Sequence, residues 1–173
     1  MKKLLTFLLI GLAVSLGQQA FSVVGWLSVK VLTERADLIF VGHVGEIASF
    51  KKQVPSKELG YVIMSTAETF PERIIKGEID REPVIIEFVG GRVGEETYIF
   101  EDSPRFVTGE EVILFLKRVE GKTSYSIVGM SQGRYQIKEG MITRTQIKEG
   151  TITRTNVKVD QFLKEIQSII KNK

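Results

Sequence analysis

The 173-residue sequence contains no cysteine and a single histidine, His43. Without cysteine the chain can form no disulfides and no thiolate metal sites, and it cannot be a lipoprotein anchored through an N-terminal cysteine. A zinc site would have to use carboxylates, and no HExxH pattern is present. A Ser-His-acid triad would need His43, yet no GxSxG segment presents a serine. We therefore expect that the protein is not an enzyme and has no cofactor and no metal site. Hydrolysis through His43 is the alternative function that would make it an enzyme.

Other motifs of catalytic or nucleotide-binding proteins are incomplete. Residues 49–52, SFKK, match the SxxK spacing of penicillin-binding enzymes, but neither SDN nor KTG occurs. Residues 90–94, GGRVG, follow an apolar run but lack the GK[ST] ending of a phosphate loop. Adjacent acids on a strand point to opposite faces, so we interpret the acidic pairs as solvated turn ends rather than acid–base dyads. These pairs are Glu95–Glu96, Glu101–Asp102 and Glu110–Glu111.

The first 20 residues have the pattern of a secretory signal peptide. Lys2 and Lys3 precede an apolar run over residues 4–16, and cleavage points follow at Gly17 and Ala20. The run is shorter than the roughly 20 residues that span a bilayer. We expect a secreted or periplasmic bacterial protein with no stable membrane span after cleavage. An uncleaved N-terminal anchor is the alternative.

Charge is distributed unevenly along the rest of the chain. Residues 21–133 carry 13 lysines and arginines against 17 acids, whereas residues 134–173 carry nine against four. A basic tail on an acidic body is consistent either with a solvated face or with a polyanion-binding surface.

Apolar runs bounded by turn residues predict a mainly β domain over residues 21–135. A short helix over 27–36, capped by Ser28, should precede strands at 38–47, 61–75, 83–89 and 111–119. Glycines at 42 and 45 and Pro71 indicate bulges. Residues 51–60 read as a polar loop. We expect a small antiparallel OB-like barrel, with a β-sandwich as the alternative.

Residues 136–155 contain a ten-residue sequence twice, QIKEGMITRT and then QIKEGTITRT. Each Glu-Gly turn should form a β-hairpin, with Ile137 opposite Ile142 and Ile147 opposite Ile152. Ile142 and Ile147 are five residues apart and so lie on opposite faces of one strand. We therefore expect one copy to protrude from the domain or to contain a bulge.

The C-terminal segment, residues 156–173, is predicted to be an amphipathic helix with Asp160 as its cap. Its apolar residues recur at helical spacing and should pack on the domain. These residues are Phe162, Leu163, Ile166, Ile169 and Ile170.

Two surface segments are the candidate partner-binding loops. Residues 90–94 read as a flexible glycine-rich loop, and residues 103–106 add a proline, an arginine and an aromatic side chain that we expect to be exposed. Loops of this composition carry recognition more often than the scaffold does. The candidate contact residues are Gly90, Gly91, Arg92, Gly94, Pro104, Arg105 and Phe106.

The order of short segments resembles a known family. "ERADLIFVGHV" at 34–44, "IIKGE" at 74–78 and "PRFVTGEEVILFL" at 104–116 are similar to segments of netrin-like modules and tissue inhibitors of metalloproteinases. The "GGxxG" segment before "PRFxxGEEV" resembles uncharacterised exported bacterial proteins. The resemblance implies an OB-type barrel, export and a binding role. The inhibitors present an N-terminal cysteine to the protease zinc, a mechanism that this cysteine-free chain cannot share.

We therefore expect an exported, non-enzymatic binding module whose partner is another exported protein. The resemblance extends this expectation to an exported protease as that partner. Polyanion or oligosaccharide binding on the barrel is the alternative, and we expect no nucleic-acid partner. The sequence leaves the oligomeric state open.

Overall fold

The computed structural model describes residues 26–55, 60–148 and 151–172. Three predicted features therefore lie outside the described residues. They are the signal peptide (residues 1–20), residues 56–59 of the polar loop, and the second Glu-Gly turn (residues 149–150).

A short helix precedes the first strand, as the sequence predicts. Helix α1 (Val29–Arg35) begins after Ser28, whose Oγ accepts a hydrogen bond from the Val31 amide at 3.3 Å. At the other end, Lys76 Nζ donates to the Thr33 carbonyl at 2.7 Å. A cation on these last carbonyls offsets the negative end of the helix dipole.

The strands and the second helix follow in chain order. They are β1 (Leu38–Gln53), β2 (Tyr61–Lys76), β3 (Val84–Val89), β4 (Gly91–Val93), β5 (Glu96–Tyr98), β6 (Glu111–Arg118), β7 (Tyr125–Ile127), β8 (Arg134–Lys138), β9 (Met141–Lys148), β10 (Thr151–Lys158) and α2 (Val159–Lys171). A 3-10 turn, Met130–Gly133, joins β7 to β8.

Five of the strands close into a ring. Antiparallel ladders join β1 to β2, β2 to β3, β7 to β6 and β6 back to β1, and a parallel bridge between Ile86 and Tyr125 joins β3 to β7. Strands β8, β9 and β10 extend the sheet from β6. Because one bridge alone joins β3 to β7, the ring is partly closed, and the predicted mainly β, barrel-like fold with two flanking helices is confirmed.

Alternation along β1 and β6 explains why both runs are apolar at every position. On β1, Leu38 and Phe40 point into the barrel, whereas Ile39 and Val41 point outward to the helices. Strand β6 alternates in the same way between two buried clusters. The outward cluster contains Phe115 and three residues of α2, namely Phe162, Leu163 and Ile166.

The predicted bulges lie between β1 and β2. The register shifts between Val41 and Gly42, where Gly42 lies opposite Pro71, and again between Val44 and Ile47. A Cβ on Gly42 would lie 2.2 Å from the Phe70 carbonyl oxygen, so no other residue fits this close approach. The predicted polar loop is shorter than expected, because β1 continues to Gln53.

Strands β9 and β10, which contain most of the repeat, form a two-stranded antiparallel ribbon. Ile137 pairs with Ile142, and Ile147 pairs with Ile152, as predicted. The β8–β9 ladder ends at Ile142, while β9 and β10 pair in unbroken register to the ribbon tip, so the ribbon leaves the sheet without a bulge. Helix α2 packs on the body, but the expected Asp160 cap is wrong. The cap position is Lys158, and Asp160 lies in the first turn.

Candidate binding site

The glycine-rich segment is not the flexible loop that the sequence predicts. Residues 91–93 form β4, which pairs with β5 through Gly91 opposite Tyr98 and Val93 opposite Glu96. Gly94, with φ of 61°, forms the exposed turn. Valine and threonine in these short runs favour strand, and a glycine that accepts positive φ supplies the turn. We call residues 91–98 the hairpin.

Hydroxyl groups from β1 and β2 fix the base of the hairpin. The Gly90 amide donates to the Ile63 carbonyl at 2.9 Å, and Ser65 Oγ donates to the Gly90 carbonyl at 2.6 Å. Ser49 Oγ lies 2.8 Å from Ser65 Oγ. Gly91 has φ of 131°, and a Cβ there would lie 2.2 Å from Ser65 Oγ. Only glycine lets the backbone approach the two serines this closely.

A polar clasp holds the outer strand of the hairpin. Lys51 Nζ donates to Glu96 Oε1 at 2.5 Å and to the Tyr61 hydroxyl oxygen at 3.3 Å, and the Tyr61 hydroxyl donates to Glu96 Oε2. The hydrogen bonds from Lys51 and then Tyr61 lower the pKa of the Glu96 carboxyl. The pKa of Lys51 is raised, mainly by its hydrogen bond to Glu96 and next by its hydrogen bond to Tyr61. These three side chains, the clasp, are the main polar connection between β5 and the barrel.

The second candidate segment folds against the base of the hairpin. The Ser103 amide donates to the Phe100 carbonyl at 3.0 Å, and Ser103 Oγ donates to the Val89 carbonyl. The expectation of an exposed aromatic is wrong. Phe106 is half-buried against Phe88, with ring centroids 5.4 Å apart, and Pro104 is buried.

The two segments border one open cavity of about 300 Å³. Six of the seven candidate residues line it, and Gly94 at the hairpin turn does not. Apolar side chains from several elements form most of its wall, including Ile47, Phe88, Ile99 and Phe100. Segments separated in sequence thus form a single concave site, which is the usual form of a ligand pocket.

The rim of this cavity combines exposed apolar groups with positive charge. Ile99 is 73% exposed and Phe100 is 42% exposed. Arg92 and Arg105 are exposed, and they are the charged residues in the lining. Arg92 Nε donates to the Gly94 carbonyl at 2.9 Å. In the part of the chain that the structure describes, neither arginine has an ion-pair partner.

A buried ion pair supports the segment from beneath. Glu110, whose side chain is 4% exposed, accepts hydrogen bonds from Arg134, from Gln136 Nε2 at 2.9 Å and from the Val107 amide at 2.9 Å. The Arg134 guanidinium also lies over the Phe106 ring at 5.3 Å. The interpretation of Glu110 as a solvated turn end is therefore wrong. It anchors the segment that carries Arg105 and Phe106.

His43 lies away from the cavity, on the bulged part of β1. Its ring stacks on Phe70, with centroids 5.2 Å apart, and Nδ1 is 3.0 Å from Glu72 Oε1. Within residues 26–55, 60–148 and 151–172 no group of three or more histidine or acidic side chains is arranged to hold a metal ion. Over the same residues no helix is long and apolar enough to cross a membrane.

Sequence reasoning missed the half of the site that comes from β1, β2 and the segment after β5. Ser65, Ile99 and Phe100 carry no local motif, and the SxxK match at Ser49 does not indicate a binding role, although two adjacent apolar residues such as Ile99 and Phe100 are a weak signal of an exposed patch. No model of a known protein family matches this chain, and no curated protein matches it as a relative.

Proposed function

We propose that this chain is an exported, non-enzymatic binding module that contacts another exported protein through the cavity and its rim. The contact surface, here called the hairpin surface, comprises Arg92, Ile99, Phe100 and Arg105 around the cavity mouth. The observation that carries the proposal is that exposed apolar side chains border an apolar cavity, beside two arginines that form no ion pair within the described residues.

This arrangement has the composition of a protein-binding hot spot. Aromatic, large apolar and arginine side chains supply most of the binding energy at interfaces when they enter or surround a pocket. An isoleucine as exposed as Ile99 gains little from folding, since most of its side chain stays in water. A partner that covers it removes that apolar area from water, which makes the association favourable.

The export part of the proposal rests on the leader pattern in residues 1–20. The partner class, an exported protease, rests on the resemblance of residues 27–135 to netrin-like modules. Amino-terminal sequencing of the protein recovered outside the cytoplasm tests export. A start after Gly17 or Ala20 would support it, a start at Met1 in the membrane fraction would contradict cleavage, and recovery from the cytoplasm alone would contradict export.

Site-specific photo-crosslinking in the producing cell tests the hairpin surface. A benzoylphenylalanine at position 99 should crosslink to one exported protein. The matched control is the same probe at Ile74, which is 43% exposed on β2 and outside the cavity lining. Equal crosslinking from both positions, or none from position 99, would reject the proposal.

Charge reversal supplies a second test. Arg92→Glu and Arg105→Glu should each reduce that crosslink, whereas Arg73→Glu on β2 should not. If a glutamate at position 73 is as damaging as those at the rim, the effect is one of net charge and not of this surface.

Polyanion or oligosaccharide binding is the alternative that the ribbon favours. Lys138, Arg154 and Lys158 are exposed there, and a second concave region of about 470 Å³ between β8 and β9 is lined mainly by polar residues. Affinity for heparin that falls steeply with salt and survives Arg105→Glu would support this alternative over the hairpin surface.

Hydrolysis through His43 predicts loss of activity in His43→Ala, a substitution that the binding module should tolerate.

A further inference from the structure

We propose that the cavity captures the carboxyl terminus of its partner: a large apolar C-terminal side chain enters the cavity, and the terminal carboxylate binds Arg92 and Arg105. This inference rests on the proposed function, because it specifies which part of the partner the hairpin surface contacts.

The size of the cavity limits the occupant. A volume of about 300 Å³ is at the lower end of the range for small-molecule sites, which extends to about 1,000 Å³. The space within it fits one large side chain with part of its backbone. The wall contributed by Ile47, Phe88 and Phe100 is apolar, so that side chain should be apolar as well.

The two serines at the base of the hairpin cannot hold the carboxylate, because their hydroxyl hydrogens are already used. Ser65 Oγ donates its hydrogen to the Gly90 carbonyl, so Ser49 must be the donor in the bond between the two hydroxyls. The Arg92 amide in turn donates to Ser49 Oγ at 3.4 Å. Both serines therefore offer only lone pairs to a ligand, and lone pairs repel an anion.

The rim, in contrast, is suited to an anion. Arg92 and Arg105 line the cavity, whereas the nearby acids Glu95, Glu101 and Asp102 do not. Guanidinium groups bind carboxylates by paired, charge-assisted hydrogen bonds. An anion at the mouth and an apolar group inside therefore match the distribution of charge in the site.

A chain terminus satisfies both requirements better than an internal acidic residue. In an extended segment adjacent side chains point to opposite sides, so an aspartate beside the apolar residue points away from the rim. A C-terminal carboxylate is attached to the same Cα as the anchoring side chain. It therefore remains at the mouth when that side chain enters the cavity.

Fluorescence polarisation with defined peptides tests the inference on the exported full chain. The probes are fluorescein-Gly-Ser-Gly-Ser-Phe as the free acid, the same peptide as its C-terminal amide, and an amidated peptide with internal Phe-Asp. The free acid should bind at least about tenfold more tightly than either amidated peptide, the difference expected for a charge-assisted contact.

Variants locate the effect at the rim. Arg105→Gln should weaken binding of the free acid about tenfold and leave binding of the amide unchanged, while the control Arg73→Gln should change neither. Ile99→Ala should weaken both peptides, because the apolar contact does not involve the carboxylate. Equal binding of acid and amide, equal effects of Arg105→Gln on both, or no binding of the free acid would each overturn the inference. So would dodecanoate binding more tightly than the peptide acid.

The proposed function can survive failure of this inference. If the probe at position 99 still captures its partner after that partner loses its C-terminal residue, the hairpin surface is an interface but terminal capture is refuted. If the crosslink disappears on that truncation, both proposals are supported together.

Discussion

Replacing Glu110 with alanine should destabilise the fold and the site together. The carboxylate is buried and accepts hydrogen bonds from Arg134, Gln136 and the Val107 amide. Its loss leaves the Arg134 side chain, which is 16% exposed, as a buried charge without its partner. An uncompensated buried charge is among the few causes of large destabilisation by a single substitution.

The magnitude follows from these contacts. Hydrogen bonds to charged groups contribute about 1.5–3 kcal/mol each to stability, so three independent ones would contribute about 5–9 kcal/mol, an upper bound because contributions within one network are not additive. Desolvation of both ions offsets part of this, and removing one member of a buried pair costs about 3–5 kcal/mol. We expect a loss in that range for Glu110→Ala, equivalent to about 10 °C in Tm for a chain of this size.

Urea unfolding followed by far-UV circular dichroism measures the effect. Glu111→Ala is the matched control, because Glu111 is the next residue along the chain, is exposed and makes no ion pair that the structure shows. Glu110→Ala combined with Arg134→Ala should cost less than the sum of the single changes, since the double variant leaves no orphaned charge. A loss below about 1 kcal/mol for Glu110→Ala, or strict additivity, would refute the reasoning.

Three further predictions concern the hairpin and α2. Glu96→Gln should speed amide exchange in β4 and β5, because the clasp protects these amides. The wild type should lose the protection as the pH falls below 4.5, the usual pKa of a glutamate. The sign follows because Lys51 lowers the pKa of Glu96, so the clasp is complete above 4.5 and is lost as the carboxyl is protonated. Protection factors of β4 and β5, corrected for intrinsic exchange, that do not change with pH in the wild type would contradict this. Gly91→Ala should cost about 1–3 kcal/mol by chemical unfolding, because its Cβ meets Ser65 at positive φ, and an unchanged midpoint would refute it. Phe162→Ala should cost about 3–5 kcal/mol, since the ring is fully buried, and a shift under 1 kcal/mol would show that α2 is not part of the core.

Much of the fold could be predicted because its signals are local. The double-sided apolar runs of β1 and β6 indicate buried strands, Ser28 indicates a helix start, and Gly42 and Pro71 indicate a bulge. The predicted cap of α2 is wrong, because Asp160 has the residue type of a cap while the helix begins two residues earlier, after Lys158. Helix boundaries depend on the preceding strand, which the sequence does not delimit.

The candidate site was only partly predictable for a related reason. Residues 90–94 and 103–106 could be identified from composition, and both segments border the cavity. The pairing that makes a hairpin of the first segment depends on the clasp, and Glu96 pairs with Lys51 across 45 residues of sequence. The burial of Phe106 likewise depends on Arg134, 28 positions later in the chain, which lies over its ring. Contacts at such separations leave no periodic signature.

The two walls of the cavity are held by different kinds of interaction, and this difference bears on how a ligand enters. The segment with Arg105 is fixed from beneath by the buried Glu110–Arg134 pair, which solvent and salt screen weakly. The hairpin with Arg92 is held at its outer strand by the exposed clasp of Lys51, Tyr61 and Glu96, which salt and pH weaken. The hairpin is therefore the wall that moves more readily. In the proposed binding mode we expect a ligand to enter by displacing the hairpin, while the segment above Glu110 keeps Arg105 in a fixed position.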